Sequence, residues 1–416
     1  MAHKTLVDST EYEVTGGLTL VEGTSYSIKN GKVFVDSTEY DISFVLPPDV
    51  LKLWYGSGTY NYIKCITYAN GYWVVGGQYN DGDTYCARIA YTTNLDGTWT
   101  TQDLWTGINE YTSINGITYA NGYWVVAGQC YNSSNCCAQI AYTTSPDGTW
   151  TTKILWSGSA GEAYTNTINC IIYANGYWVV GGQYYYRSSR YPARIAWATS
   201  PDGTWNIVNI LGGTSIHTIN CITYANGYWV VGGHITSSNT YYARLAYATD
   251  IEQVTTWTPV QLWYDSSSSY TAINCITYAN GYWVVGGEYY EDATNTYYAR
   301  ISYATDLEDT WTTQDLWGDK SVGNCIYCIT YANGQLVVGG VGREVNTFYS
   351  RIAYTTSPDA TWVTTNVWSG SNAQDGIMCI DDINGYWVAG GRIRVADYVY
   401  GQIAYAESLT ELGQTS

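Results

Sequence analysis

Residues 66–77 read ITYANGYWVVGG, and the phrase returns along the whole chain: ITYANGYWVVAG at 117–128, then ITYANGYWVVGG again at 222–233 and 276–287. The Asn of its turn falls at Asn70, Asn121, Asn175, Asn226, Asn280, Asn333 and Asn384, in steps of 51, 54, 51, 54, 53 and 51 residues. The third copy shows the anatomy of a unit. A first strand, INCIIYA at 168–174, meets Asn175-Gly176, the pair that a two-residue type I′ hairpin prefers. A second strand runs into Gly181-Gly182, a variable loop follows, and ARIAWAT at 193–199 makes a third strand. Ser200-Pro201-Asp202-Gly203 suits a type I turn, and a fourth strand opens at Trp205. Four strands in each of seven units predict an all-β fold, a seven-bladed β-propeller over residues 46–416. A sandwich would not repeat its sequence at this period.

The fourth strand usually ends in Leu-Trp, as at Leu104-Trp105, Leu155-Trp156, Leu262-Trp263 and Leu316-Trp317. After the last third strand, Gln402 to Tyr405, the chain stops without one; the missing strand stands before the first unit, VLKLW from Val50 to Trp54. Residues 50–54 are therefore expected to complete the last blade and close the ring by pairing, leaving no open blade.

Composition agrees. With 45 Tyr, 19 Trp and 43 Gly against 3 Phe and 2 Met, the chain is rich in strand and turn formers. A formal charge of −18 argues against nucleic acid or an anionic membrane as partner, because both reward clustered Lys and Arg. No stretch approaches the ~18 apolar residues of a membrane span. The start, MAHKTLVDSTEYEV, lacks the apolar centre of a secretory signal. Eleven cysteines cannot all pair within one chain.

Residues 1–45 carry a smaller repeat: TLVDSTEYEVTGG, TLVEGTSYSIKNG and KVFVDSTEYDISF are alternating β segments too short for a core of their own. They read either as a loosely packed leader or as an assembly module whose strands pair with other chains. This leader resembles short repeats in structural proteins of tailed bacteriophages and prophages, where they precede variable distal domains. The resemblance implies a tail-fibre or receptor-binding-type protein at the virion surface. Residues 1–45 would then join it to other virion proteins, with homo-oligomers expected. The blades are similar to kelch repeats in Gly76-Gly77, Tyr91 and Trp99. SPDGTW at 145–150 and 200–205 resembles an Asp-box one residue short.

Few residues stand out as chemical. Every Trp has a place in the repeat, which reads as packing between blades. Cys65, Cys170, Cys221, Cys275, Cys328 and Cys379 share one first-strand slot and read as free thiols in a core ring, with an axial metal site as the alternative. Cys130, Cys136 and Cys137 read as a chance loop cluster, a local bridge or a metal site. Asn80 to Asp83 (NDGD) could offer oxygens to Ca²⁺, with a solvated turn as the default. Arg88, Arg194, Arg244, Arg300 and Arg351 occupy one third-strand slot and are expected to brace each blade against its neighbour; the alternative is an anion-binding ring. The three His share no ligand or nucleophile spacing. No copy gains a clustered set of carboxylates, and pairing Tyr184–Tyr186 with Glu288 or Glu291 would be arbitrary. No catalytic residue, metal or cofactor is assigned, and a non-enzymatic protein is expected.

The loops between second and third strands vary in length and letters, while the Asn-Gly and SPDG turns barely change. One rim is monotonous and the other is a mosaic of Tyr, Ser and Asn, a composition suited to recognition. The candidate ligand-binding residues on it are Tyr79, Tyr131, Tyr184, Tyr185, Tyr186, Tyr241, Tyr289, Tyr290 and Tyr297. The expected role is recognition of a host-surface glycan or protein. A sialidase-like glycan-cleaving propeller and a purely structural or subunit-docking role are the alternatives.

Overall fold

A computed structural model describes residues 49–416 apart from 57–59, 109–110, 133–134, 160–165, 185–191, 211–215, 238–239, 254–256, 265–269, 320–322, 345–346, 371–374, 396–397 and 414–416. Within residues 3–41 it describes the strands alone. The chain divides into two compact units, Met1–Pro47 and Pro48–Ser416. In the first, His3–Val7 pairs with Thr10–Val14, and a second sheet runs in order through Leu18–Val21, Thr24–Lys29, Lys32–Val35 and Thr38–Asp41.

The second unit is seven sheets of four antiparallel strands. Each first strand packs on the first strand of the next blade. The seventh, Gly376–Ile383, packs back on the first, Tyr62–Ala69, so the sheets form a ring. All seven Asn-Gly turns hold Asn at φ 48–55° and Gly at φ 74–86°, the left-handed pair that a type I′ hairpin demands. The Gly-Gly that ends each repeated phrase has a different reason. A Cβ on Gly77 would lie 1.9 Å from the Tyr62 carbonyl oxygen, and one on Gly76 would lie 2.7 Å from Ile114 of the next blade. The first and second strands, and the two blades, approach too closely for a side chain there; blade two, where Gly116 replaces the Cys of the first strand, accommodates Ala127 at the first of the two positions.

The seventh blade takes its outer strand from the other end of the unit. Asp49–Gly56 pairs antiparallel with Tyr398–Ala406, with Leu51 opposite Ile403 and Trp54 opposite Gly401. Trp54 also repeats what its counterparts do. Its indole N–H donates to the Gln78 carbonyl of the first blade at 3.0 Å. Trp105 likewise donates to Gln129, Trp156 to Gln183, Trp317 to Val341 and Trp368 to Arg392, at 2.8–3.2 Å. The outer tryptophan of each of these blades is thus pinned into the second strand of its neighbour. The second-strand tryptophans Trp124, Trp178 and Trp229 are fully buried and fill the space between blades. After the last strand comes a short helix, Leu409–Leu412, capped by Ser408 and buried through Leu412; the sequence had suggested no element there.

Candidate functional site

The first strands carry a shared irregularity. In all seven blades their pairing slips between an Ile and the residue two further on, from Ile63/Cys65 in blade one to Ile377/Cys379 in blade seven. Such a bulge leaves one residue unpaired and re-aims its side chain. The extruded residues are Lys64, Asn115, Asn169, Asn220, Asn274, Tyr327 and Met378. Lys64, Asn115, Asn169, Tyr327 and Met378 line one cavity of about 560 Å³ together with Tyr60, Tyr62, Gln78, Tyr111 and Gln129. Residues from blades one, two, three, six and seven meet only at the axis of a ring. Tyr60 and Tyr111 belong to the connections entering first strands, so the cavity lies toward the rim where the sequence varies.

Four of the extruded residues work for the fold. The Asn115 side-chain amide donates to the Ile168 carbonyl at 2.8 Å, Asn169 to Ile219 at 2.8 Å, Asn220 to Ile273 at 2.9 Å and Asn274 to Ile326 at 3.0 Å. Each amide thus ties one blade to the next. The stair breaks across blades six, seven and one, where the slot holds Tyr327, Met378 and Lys64. Lys64 turns its ammonium to the Ser113 hydroxyl at 3.2 Å and the Asn115 side-chain oxygen at 3.0 Å. Burial pulls its pKa down to about 8.

A second slot breaks the repeat beside the first. The residue after each Gly-Gly is Gln78, Gln129, Gln183, His234, Glu288, Val341 and Arg392 in turn. Arg392 is fully buried, 3.4 Å from the equally buried Asp375, and it donates to the Tyr62 hydroxyl across the closure of the ring. Tyr62, buried beside it, has its phenol pushed up to about 12, chiefly by desolvation. Glu288 is half-buried, and desolvation raises its carboxyl from 4.5 to about 8, so that it is largely protonated at neutral pH. Its charge bears on Tyr327 and Tyr270, whose phenols burial already drives up. Tyr270 lies 3.4 Å through its hydroxyl from His234 Nδ1, and with Tyr241 these rings form a cluster with centroids 4.9–5.7 Å apart. Burial lowers His234 to about 4, leaving a neutral imidazole. Blades six, seven and one thus line the cavity with Tyr327, Met378 and Lys64, and the Glu288 carboxyl of blade five is close enough for Tyr327 to feel its charge.

The tyrosines proposed from the sequence fall into several settings. Tyr79, Tyr184 and Tyr289 lie under the guanidinium groups of Arg88, Arg194 and Arg300, each 3.5 Å from the ring centroid. Tyr131 and Tyr290 are buried, and Tyr290 packs on Tyr297. Tyr241 joins the histidine cluster, while Tyr185 and Tyr186 lie outside the described residues. The arginines brace mainly within a blade rather than between blades. Arg88 grips Asp103, and Arg300 grips Asp315, with two hydrogen bonds of 2.6 and 2.9 Å, because the fourth-strand aspartate stands directly opposite in the ladder. Among the described residues, Arg194 and Arg351 also come near a tryptophan of the preceding blade, at 5.7 and 5.9 Å.

The cysteines of the first-strand slot sit beside the axis-lining residues, and those of blades one, three, five and six donate to a Gly carbonyl of their own second strand. The Cys130, Cys136 and Cys137 group is on strands, not in a loop, with Cys130 directly opposite Cys137. Asp81 folds NDGD onto itself by accepting the backbone N–H groups of Asp83 and Thr84. Among the described residues no three His, Cys, Asp or Glu gather as a metal site, and no helix is long and apolar enough to cross a membrane.

The site residues were hidden by the way the repeat was read. Looking for one blade with several carboxylates misses single replacements contributed by different blades. The usable signal is the column: K, N, N, N, N, Y, M before the Cys slot, and Q, Q, Q, H, E, V, R after Gly-Gly, inside strands that otherwise hardly change.

No protein-family description matches the chain, and no curated protein matches its sequence. Solved structures do match in fold. The phage phi92 endosialidase is similar with a TM-score of 0.50 at 10% identity, over 90% of this chain and 70% of that one. The polysaccharide lyase Uly1 gives 0.49 at 10%, over 83% and 92%. The Trypanosoma rangeli sialidase in complex with sialic acid gives 0.47 at 11%, over 85% of this chain, which spans 60% of the sialidase's length. At such identities the likeness establishes the propeller fold alone. It nevertheless corrects the expectation of a non-enzymatic protein. The phage phi92 endosialidase shares this fold, so the propeller gives no ground for excluding an enzyme. Although no copy gains a clustered set of carboxylates, a single acid group does stand apart from the repeat: Glu288 takes the slot that Gln78, Gln129 and Gln183 hold in blades one to three.

Proposed function

We propose that this chain is a glycan-active propeller that seats a saccharide in the axial cavity and cleaves it with Glu288 as proton donor. The observation that carries the reading is where the repeat fails. Three of its departures, Lys64, Tyr327 and Met378, line one axial cavity walled by phenols and amides, and the Glu288 carboxyl, held protonated near pH 7, is near enough to the cavity-lining Tyr327 to act on it electrostatically. Phenol rings and side-chain amides supply the flat apolar faces and paired donors and acceptors that a sugar requires. A protonated carboxyl can give its proton to a departing glycosidic oxygen while a water molecule bonds to the anomeric carbon and returns a proton to the Glu288 carboxylate. Tyr241 and Tyr297, on the variable side, would extend contact beyond the cavity.

The setting we propose is the surface of a bacteriophage particle, with residues 1–45 joining the chain to other virion proteins and the propeller turned toward a host-surface glycan. The leader's resemblance to phage structural repeats supports it, and the opposite, monotonous rim supports the orientation. There polar groups are spent on neighbouring blades, as Tyr72 donates to Asp147 and Tyr177 to Glu252.

The test is release of new sugar ends from a panel of bacterial surface polysaccharides. Glu288→Gln should cut turnover about 100-fold or more while glycan binding persists. Absence of any glycan binding or cleavage by the intact protein, or full turnover by the variant, would overturn the proposal.

A further inference from the structure

Lys64 is a cation out of place. It is half-buried at the axis, its ammonium meets the neutral oxygens of Ser113 and Asn115 and lies 5.8 Å from the centre of the Tyr62 ring, and no carboxylate pairs with it among the described residues. The whole chain carries a formal charge of −18, so carboxylates abound, yet none is placed here. In the corresponding slot four other blades use Asn to bond the next blade, which shows that the fold does not need a cation at this position. Desolvating an unpaired ammonium is costly, and such a group persists in a site when a counter-charge arrives with a ligand. The walls around it, Tyr60, Tyr62, Tyr111, Gln78 and Gln129, are neutral and match the body of a sugar. Arg392, the other cation nearby, is already matched by Asp375.

We propose that the saccharide taken by the axial cavity is anionic and that its acid group is seated on the Lys64 ammonium. This rests on the proposed glycan reading and adds the substrate class. Lys64 is then a specificity-determining residue: it selects acidic over neutral sugar and takes no part in proton transfer. Carboxylate and sulfate esters share the required charge, and the two are separated by experiment.

Three probes decide the matter by calorimetric titration of the full chain: an oligogalacturonide, the same oligosaccharide with its carboxyls reduced to alcohols, and a sulfated neutral oligosaccharide of equal length. The acidic probes should bind about tenfold or more tightly than the reduced one. Whichever acid group binds more strongly names the source. Lys64→Met should abolish that preference, while Lys64→Arg keeps most of it. Unchanged near-ultraviolet circular dichroism and melting temperature guard against misfolding, and if Lys64→Met unfolds, loss of preference in Lys64→Gln takes its place. Equal binding of acidic and reduced probes, or a preference that survives removal of the ammonium, overturns the inference and leaves the glycan reading standing. Binding of none of these probes, nor of any polysaccharide in the cleavage panel, overturns both.

Discussion

Replacing Glu288 by Gln tests the axial site without any substrate. The carboxyl has a folded-state pKa near 8 against 4.5 when free, because desolvation favours its neutral form. Below pH 4.5 both folded and unfolded chains hold the proton and the group is silent. Between 4.5 and 8 the unfolded chain releases it and the folded chain does not, so the native state loses stability as pH rises. Above 8 the loss is complete. The full gap corresponds to about 5 kcal/mol at 1.36 kcal/mol per pKa unit. Partial exposure of Glu288 brings the expectation to about 2–3 kcal/mol. Glutamine keeps the shape and cannot ionise, so the variant should be more stable than the parent at pH 8 and equal to it at pH 4. The assay is urea unfolding followed by Trp fluorescence at half-unit steps from pH 4 to 9, scored as the difference between the two proteins. That difference cancels the groups that do not feel the Glu288 charge; Tyr270, Tyr327 and Cys325 do feel it, but burial drives all three up and keeps them protonated over this range. Parallel stability curves across the range would show that the carboxyl ionises normally, and the proton-donor role would fall with it.

Three further outcomes follow from the same geometry. Arg392→Met strands the buried Asp375 carboxylate and should cost about 3–5 kcal/mol, most of it returned by adding Asp375→Asn; equal unfolding midpoints for parent and single variant would refute the pairing. Burial lowers both His217 and His234 from 6.5 to about 4, so their stabilising neutrality is full above 6.5 and lost as pH falls toward 4. Replacing both by Gln should flatten that acid limb by up to about 3 kcal/mol per residue, read from the same urea series. Cys130 and Cys137 face each other across a ladder, where opposed Cα atoms lie within disulfide range. A thiol oxidant such as diamide should join them slowly, because burial raises both thiols, and peptide mapping that found Cys136 bridged instead would refute the register.

Most of the architecture was open to reading in one dimension. The Asn-Gly pair forces φ > 0 at two successive residues, and the second Gly of the Gly-Gly pair marks a backbone approach that no Cβ survives. Those local demands recur at a fixed period, so seven copies declare seven equal sheets. Even the sharing of a blade between the two ends of the propeller follows from counting Leu-Trp strands, since a sheet edge without a partner is unstable. What the repeat could not reveal is which of its small departures matter, because Lys64, Glu288, Tyr327 and Arg392 lie up to 328 residues apart in sequence, each a lone substitution in its own blade.

The tertiary structure decides that question through two physical facts. A bulge re-aims one first-strand residue per blade, and closure of the ring brings five of those residues, Lys64, Asn115, Asn169, Tyr327 and Met378, to one axial cavity. Burial then sets the chemistry: the same Glu that would be a plain surface carboxylate on an open strand is held protonated, and the same Lys is desolvated with no carboxylate paired to it among the described residues. Sequence alone determined the blade, its turns and their number. Only the closed ring determined the site, because proximity and desolvation exist for these side chains once the ring has formed and not before.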